Sequence, residues 1–385
     1  MKILFITHHY LSSNGGGSFA SRAYINSFAE CVDSITLLYP KNDKEDVFDS
    51  INSKIVQIPV IYDIPRVCKL FDLLIGRVHR YYDIVPKLLD AESYDVVVFD
   101  NSKCSYRLID IAHHHNCKTI VINHNFEYEY VRDNANGLLR NIELYWTRQY
   151  ESDAARKSDL NLTLTKQDLI SLCNLYRDGN QDNFRYLGVF EYEYRAHVLK
   201  NNEKKEVNTS KKCFAITGNL GAVQTVESIV AWTKSYFSVI KEIYPEAKII
   251  VAGKKPGKKI VELCEKYGME LIPSPKSMDS VLLNVDYYIC PISLGGGMKL
   301  RLMDGLRLGI PVIAHSVSVR GYERFLDEKC LFEYKDKESF RKALLDMKNM
   351  SFCKSDILES YKKFFSFNAG IQKVSRILNE FLLNK

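Results

Sequence analysis

Two runs of three glycines, Gly15-Gly16-Gly17 and Gly295-Gly296-Gly297, each follow a short apolar stretch and precede a segment of helical period. Residues without a Cβ let the backbone come close to a ligand. The first N–H groups of a helix lack partners within it, so such a junction can take an anion. After the second run, Lys299 adds a point charge where a phosphate would sit, and Asp304 can accept from sugar hydroxyls. Amides, a cation and a carboxylate in this order suit a nucleoside diphosphate. The same glycine pattern also occurs simply to let helix and strand pack, and the local pattern alone leaves both open.

The spacing narrows the choice. Gly295, Gly297, Lys299, Asp304 and Gly305, followed by Gly309-Ile310-Pro311-Val312-Ile313, resemble the donor-binding segment of retaining glycosyltransferases of the GT-B fold, the glycosyltransferase family 4-like or glycosyl transferases group 1 family. Gly321-Tyr322-Glu323 stands where relatives often carry a G-x-E-like turn. The resemblance implies that Gly296, Gly297, Met298, Lys299 and Leu300 hold the donor, with Lys299 on the diphosphate and in a catalytic role. It implies Asp304 on the ribose, the nucleobase near Ile272–Ser274, retained anomeric configuration and no metal. Two departures stand out. Gly296 occupies the place where many relatives carry the first of two glutamates, and Asp304 replaces the second with one methylene less. The donor sugar would then be read partly by the backbone N–H groups of Gly296–Leu300.

Three further strand ends carry polar or glycine-rich turns. Lys2–Thr7 leads through His8 and His9 to the first glycine run, ahead of a helix expected to be capped by Ser18. By resemblance, Gly16 and Gly17 belong to a loop closing over the diphosphate, whereas His8 and His9 read as structural or solvated. Thr119–Asn123 ends in His124, Asn125 and Glu127. A polar group at the carboxyl end of an interior strand stands where such sheets place ligands, so His124 is the candidate catalytic group and Glu127 an acceptor-side one. Cys213–Thr217 runs into Gly218, Asn219, Leu220 and Gly221, where Gly218 and Asn219 can meet phosphate or sugar. The Arg and Lys that many relatives place there are absent, which leaves charge neutralisation to Lys299 with Arg301 or Lys254–Lys255 as helpers.

These positions need scaffolding. A chain of 385 residues exceeds one ordinary core, and short apolar strands alternate with helical segments throughout. The expectation is an α/β chain of two Rossmann-like doubly wound domains facing a central cleft, at 1–190 and 191–367. A helix at 368–385 either packs back on the first domain or finishes the second core. The expected strands are Lys2–Thr7, Ser34–Leu38, Val96–Asp100, Thr119–Asn123, Leu160–Thr165 and Phe184–Leu187, then Cys213–Thr217, Lys248–Ala252, Glu270–Ile272, Asp286–Pro291, Pro311–Ala314 and Cys330–Tyr334. The charged stretch 188–212 reads as a solvated connection. The glycine-loop helix is expected to run from Met298 to Gly309.

A net charge of +6, spread along the chain, argues against dedicated nucleic-acid binding. Ten cysteines without a C-x-x-C pair read as buried thiols of a reducing cytosol. With no signal-like start and no run approaching 20 apolar residues, the expected location is cytoplasmic, including the cytoplasmic face of a membrane. Arg66–Leu89 mixes apolar and basic residues at helical spacing; a core-facing helix is the plainer reading, a membrane-resting one the alternative. His113, His114 and His115 are consecutive and share no helix face, which argues against a metal site.

The sequence thus predicts an enzyme moving a sugar from a UDP- or GDP-sugar to a glycan or lipid-linked acceptor in bacterial surface polysaccharide synthesis, with no cofactor and no metal. Its rivals are a non-catalytic nucleotide-sugar-binding subunit, suggested by Gly296, and a nucleotide-sugar epimerase, for which Glu127 is the one obvious carboxylate.

Overall fold

The computed structural model describes residues 1–13, 15–41, 48, 52–61, 65–76, 81–134, 137, 139–193 and 211–383. The chain divides into two compact units, Met1–Tyr194 with Phe365–Lys385 and Arg195–Phe364. Most of the expected connection at 188–212 lies outside the described residues.

Among the described residues the first unit holds seven strands: β1 Lys2–Thr7, β2 Ser34–Lys41, β3 Ile55–Ile61, β4 Val96–Asp100, β5 Lys118–Asn123, β6 Leu160–Thr163 and β7 Phe184–Tyr186. Their order is β3-β2-β1-β4-β5-β6-β7, with every pair parallel. β1, β4 and β5 are almost wholly buried, which is why they read as unbroken apolar runs. β3 is the strand the sequence did not betray. It lies at the sheet edge, is largely exposed and contains Pro59, which an edge tolerates because it cannot donate to a ladder.

The second unit holds β8 Cys213–Asn219, β9 Lys248–Lys254, β10 Glu270–Pro273, β11 Tyr287–Cys290, β12 Val312–His315 and β13 Leu331–Tyr334, in the order β10-β9-β8-β11-β12-β13, again all parallel. Its core gathers around Trp232, Phe214, Tyr287 and Phe340, where the helices Val223–Ile243 and Lys337–Lys348 pack on each other and on the sheet. The chain is an α/β protein with two Rossmann-like parallel sheets. In each, the strand order reverses once, between β1 and β4 and between β8 and β11. Ligands of such sheets bind outside the carboxyl ends of the strands at that reversal.

The last helix, Phe367–Leu383, lies in the first unit. It packs on the helix Gly16–Cys31, where the Cys31 thiol donates to the Ile371 carbonyl at 3.6 Å, and Gly370 admits the Phe190 ring.

Several local expectations are corrected. The first long helix starts at Gly16 with Gly15 as N-cap, so Ser18 is a buried first-turn residue and not the cap. The glycine-loop helix is Arg301–Leu306, shorter than 298–309, because Gly295 and Gly297 adopt left-handed φ of +81° and +66° and the chain turns again before Arg301. Arg66–Leu89 forms two helices, Arg66–Leu74 and Tyr81–Ala91, with 77–80 outside the described residues. The second buries Tyr81, Val85 and Leu89, as a core-facing helix does. The first does not: Val67 is 78% exposed and Phe71 60%, with Leu70 and Leu74 also open. No helix among the described residues is long and apolar enough to cross a membrane.

Candidate functional site

In the second unit the residues singled out at β8 and after β11 fall on neighbouring strand ends at the reversal point. β8 closes with Gly218 and Asn219; the Asn219 amide oxygen accepts from the Gly221 N–H at 3.2 Å, which sets the turn into the helix Val223–Ile243. Beside it, β11 runs into the loop 291–300, in which Gly296 and Gly297 are buried and Met298, Lys299 and Leu300 half-buried. A Cβ at Gly295 would sit 2.1 Å from the Gln224 amide nitrogen, which donates to the Leu294 carbonyl, so the loop is clamped where only glycine fits.

Lys299 precedes the helix instead of lying in its first turn. Its ammonium donates to the carbonyls of Gly295 at 3.2 Å and Gly296 at 2.7 Å, while its own carbonyl accepts from the Tyr322 hydroxyl at 3.1 Å. Glu323 accepts the Gly321 N–H at 3.0 Å, so the Gly321-Tyr322-Glu323 turn braces the loop from beneath. Arg301 had only a helper's place in the sequence reading. Its guanidinium donates to the Thr217 carbonyl at 3.1 Å and the Thr225 hydroxyl at 3.3 Å, which fixes a positive charge at the carboxyl end of β8. Thus a cation does stand where the sequence after β8 lacks one; it comes from the neighbouring helix. Asp304, one turn further, is 39% exposed and lies 3.4 Å from Arg307, which Asp279 also holds. Lys254 and Lys255 are solvated side chains at the end of β9.

In the first unit the corresponding ends are those of β1, β4 and β5. Gly16 and Gly17 form the first turn of the helix after β1. A Cβ at Gly17 would lie 2.3 Å from the His9 ring, so this glycine makes room for that histidine. The His9 ring stands 4.0 Å from His8 and 4.8 Å from His124, centroid to centroid. His124 is buried, and its Nε2 lies 2.5 Å from an oxygen of Asp100, the last residue of β4, which is itself fully buried. Thr7 donates to the other Asp100 oxygen at 2.7 Å, and Ser21 of the Gly16 helix donates to it as well.

The electrostatics of this group are opposed by burial and set by the pair. Burial alone would raise the Asp100 carboxyl, yet the His124 charge and hydrogen bond hold it below the ordinary carboxylate range. Burial alone would depress His124, yet Asp100 keeps it above the ordinary imidazole value. His9, with burial and the neighbouring His124 both against its charge, is lowered to about 4. The pair thus favours the charged form of both partners, beside a His9 that is neutral at pH 7.

From the sequence His9 reads as structural or solvated, and Asp100 only as the last residue of a strand. The signal was available: a charged residue ending the buried run Val96–Phe99, on a strand adjacent to the one ending in His124. Glu127 opens the helix Glu127–Asn134; its carboxylate accepts from Asn125 at 3.1 Å and Asn101 at 3.4 Å. The N–H groups of Glu127 and Tyr128 are taken by Glu151 at 2.6 and 3.3 Å. That helix end is already filled by an internal carboxyl. The histidines 113–115 turn to separate partners: His113 to Asp159 at 3.0 Å, His114 to the Asp110 carbonyl at 2.6 Å and His115 to Asp90 at 3.5 Å.

Residues 214–349, most of the second unit, match the family described as Glycosyl transferases group 1. A comparison with curated protein sequences returns no significant match. Among solved structures, the sucrose-phosphate synthase of Thermosynechococcus elongatus is similar over all of both chains, with a TM-score of 0.71 at 14% identity. The Anabaena protein HepE in complex with UDP is similar over 99% of this chain and 100% of its own, with a TM-score of 0.63 at 10% identity. WaaG, a glycosyltransferase involved in lipopolysaccharide biosynthesis, is similar over 97% of this chain and 99% of its own, with a TM-score of 0.58 at 13% identity. The fold is GT-B. With a glycosyl transferases group 1 domain on that fold, the chain is an enzyme of the glycosyltransferase class.

Proposed function

We propose that this enzyme transfers a sugar from a nucleoside-diphosphate sugar, such as a UDP- or GDP-sugar, to a glycan or lipid-linked acceptor in surface polysaccharide synthesis, with retention at the anomeric carbon. The observation that carries the reading is the loop Gly295–Leu300 at the reversal point of the second sheet, with Lys299 inside it and Arg301 directly after it. The leaving diphosphate would be met by loop amides, the Lys299 ammonium and the Arg301 charge, aimed where negative charge develops. Lys299 would exchange its loop carbonyls for phosphate oxygens. Asp304 would take the ribose hydroxyls, the turn at Ile272–Ser274 the base, and Gly218 and Asn219 further donor oxygens. Neutralisation by side chains and amides needs no metal on the diphosphate.

On the first unit, Gly16 and Gly17 offer first-turn amides, His124 is a charged donor for a hydroxyl of the reacting sugar, and Glu127 serves the acceptor side. The HepE complexes with UDP and UDP-glucose support a nucleotide-sugar donor, and WaaG's role supports a polysaccharide setting. The exposed apolar residues of the helix Arg66–Leu74, with Lys69 among them, support contact with the cytoplasmic face of a membrane, where a lipid-linked acceptor would be met.

Incubation with a panel of radiolabelled UDP- and GDP-sugars and lipid-linked acceptors tests this. A labelled glycan product is expected. Epimerised free donor, or donor binding without turnover, would replace the reading with an epimerase or a binding subunit. His124→Ala should lower the rate at saturating donor with a smaller change in donor affinity; a change in affinity alone would move His124 off the reacting centre.

A further inference from the structure

Among the described residues, one group brings metal-ligating atoms together: His9, Asp100 and His124, whose ligand atoms all lie within 4.8 Å of one another. It comes from three different strand ends, β1, β4 and β5. One imidazole nitrogen of this group, His9 Nε2, is sealed from solvent and has no hydrogen-bond partner among the described residues. A buried nitrogen left without a partner costs free energy and calls for an explanation, and Gly17 gives up its side chain to keep that ring in place.

We propose that His9, Asp100 and His124 form a binding site for a divalent transition-metal ion of the zinc type. Two imidazoles and a carboxylate are a known three-ligand set for such an ion, with water completing a tetrahedron. Ligands at about 2.0–2.1 Å in that geometry stand roughly 3.3–3.4 Å apart. The three side chains need to open only slightly from the 2.5 Å Asp100–His124 contact and to draw His9 in. The outer shell is present: Thr7 and Ser21 already hold the carboxylate and fix its orientation. Glu127 and Lys103 flank the cluster with opposite charges, so the ion is held by its ligands and not by a general negative field.

Filling the site has a balanced cost. His124 gives up the proton it donates to Asp100, which leaves to solvent as the metal takes its place between the two. The metal-bound state and the sugar-contacting role of His124 exclude each other. The experiment needs neither donor nor transfer, so its outcome is independent of the functional reading.

Co2+ alone is titrated into the full chain and followed by its visible absorption. One ion per chain with the intense bands of a tetrahedral complex is expected; weak octahedral bands or no saturation overturns the proposal. His9→Gln should weaken binding by at least about 100-fold, and Ser21→Ala, which touches only the outer shell, by roughly 10–100-fold. Binding undiminished in His9→Gln overturns it. The double variant His113→Gln/His115→Gln removes exposed imidazoles elsewhere and should bind as the natural chain does; loss there assigns the ion to the surface and overturns the site. Zn2+ displacing Co2+ at one equivalent completes the expected result, and failure of Zn2+ to compete also counts against it.

Discussion

The chain places three glycines before a helix twice, and the two runs do opposite things. After β1 the glycines enter the helix itself: Gly15 caps it, and Gly17 stands within it because the His9 ring leaves no room for a Cβ. After β11 they stay outside the helix, Gly295 and Gly297 in left-handed backbone, and the loop folds around its own lysine. The first run serves the packing of side chains that hold protons. The second wraps backbone carbonyls around a cation. A glycine run therefore marks a close approach, and its neighbours decide what approaches.

The largest test of this contrast is Asp100→Ala. It strips the acceptor from Thr7, Ser21 and His124 at once and leaves a buried imidazolium unpaired. Breaking such a pair by one partner costs about 3–5 kcal/mol, which urea unfolding of the variant would read as a large fall in midpoint at unchanged slope. A loss under about 1 kcal/mol would mean that the group around the first run does not organise that strand end. On the second run, Lys299→Ala should leave the fold intact and cost about 1.5–3 kcal/mol of donor affinity, the worth of a charge-assisted bond. Calorimetry with the donor analogue UDP or GDP measures it; equal affinities would return the loop to a packing role.

The glycines themselves sharpen the comparison. Gly17→Ala puts a methyl into the His9 ring, held between His8 and His124, and should destabilise by about 1–3 kcal/mol, less what alanine gains as a helix former. Gly296→Ala meets nothing within 4 Å and needs no left-handed φ, so its stability should stay within about 0.5 kcal/mol. Any loss of donor affinity in Gly296→Ala then reports on ligand contact. Paired thermal melts that fail to separate the two variants would dissolve the distinction.

How much of this the sequence disclosed follows from how locally each feature is encoded. β1, β4, β5, β8 and β11 are interior parallel strands, and burial on both faces writes them as unbroken apolar runs. β3 escaped because an edge strand with a proline and exposed alternate residues carries no such mark. The short helix Arg301–Leu306 was read as longer because Met298, Lys299 and Leu300 suit a helix; what stops them is the positive φ of Gly297 and the brace from Tyr322, a residue more than twenty positions away. Lys299 and Asp304 stand out as candidates from spacing within one segment. The Asp100–His124 pair does not, since it exists only through the pairing of β4 with β5. Arg301's reach to the end of β8 depends likewise on β8 lying beside β11.

A third junction completes the comparison and gives the mildest test. After β5 the helix Glu127–Asn134 begins not with glycines but with its N–H groups already taken by Glu151, whose carboxyl also accepts from Tyr176 at 2.8 Å. At this helix entrance the first unit supplies its own carboxyl as acceptor for the opening N–H groups. The arrangement is costly: burial pushes the Glu151 carboxyl up to about 8 against the pull of Tyr176 and the two amides, and the charge of Glu127 adds to the rise. The folded state thus keeps a proton that the unfolded chain, with an ordinary value of 4.5, releases. Between those values the unfolded state binds fewer protons, so this group's contribution to stability falls as pH rises from about 4.5 to about 8 and is level above. The slope is at most about 1.4 kcal/mol per pH unit for one proton. Glu151→Gln removes the titration while keeping the shape. Urea unfolding from pH 5 to pH 9 should show the natural chain losing ground to the variant up to about pH 8, and running parallel to it beyond. Parallel curves over the whole range would mean that the two amides and the tyrosine hold Glu151 as an ordinary carboxylate, an internal anion seated on the first N–H groups of its helix.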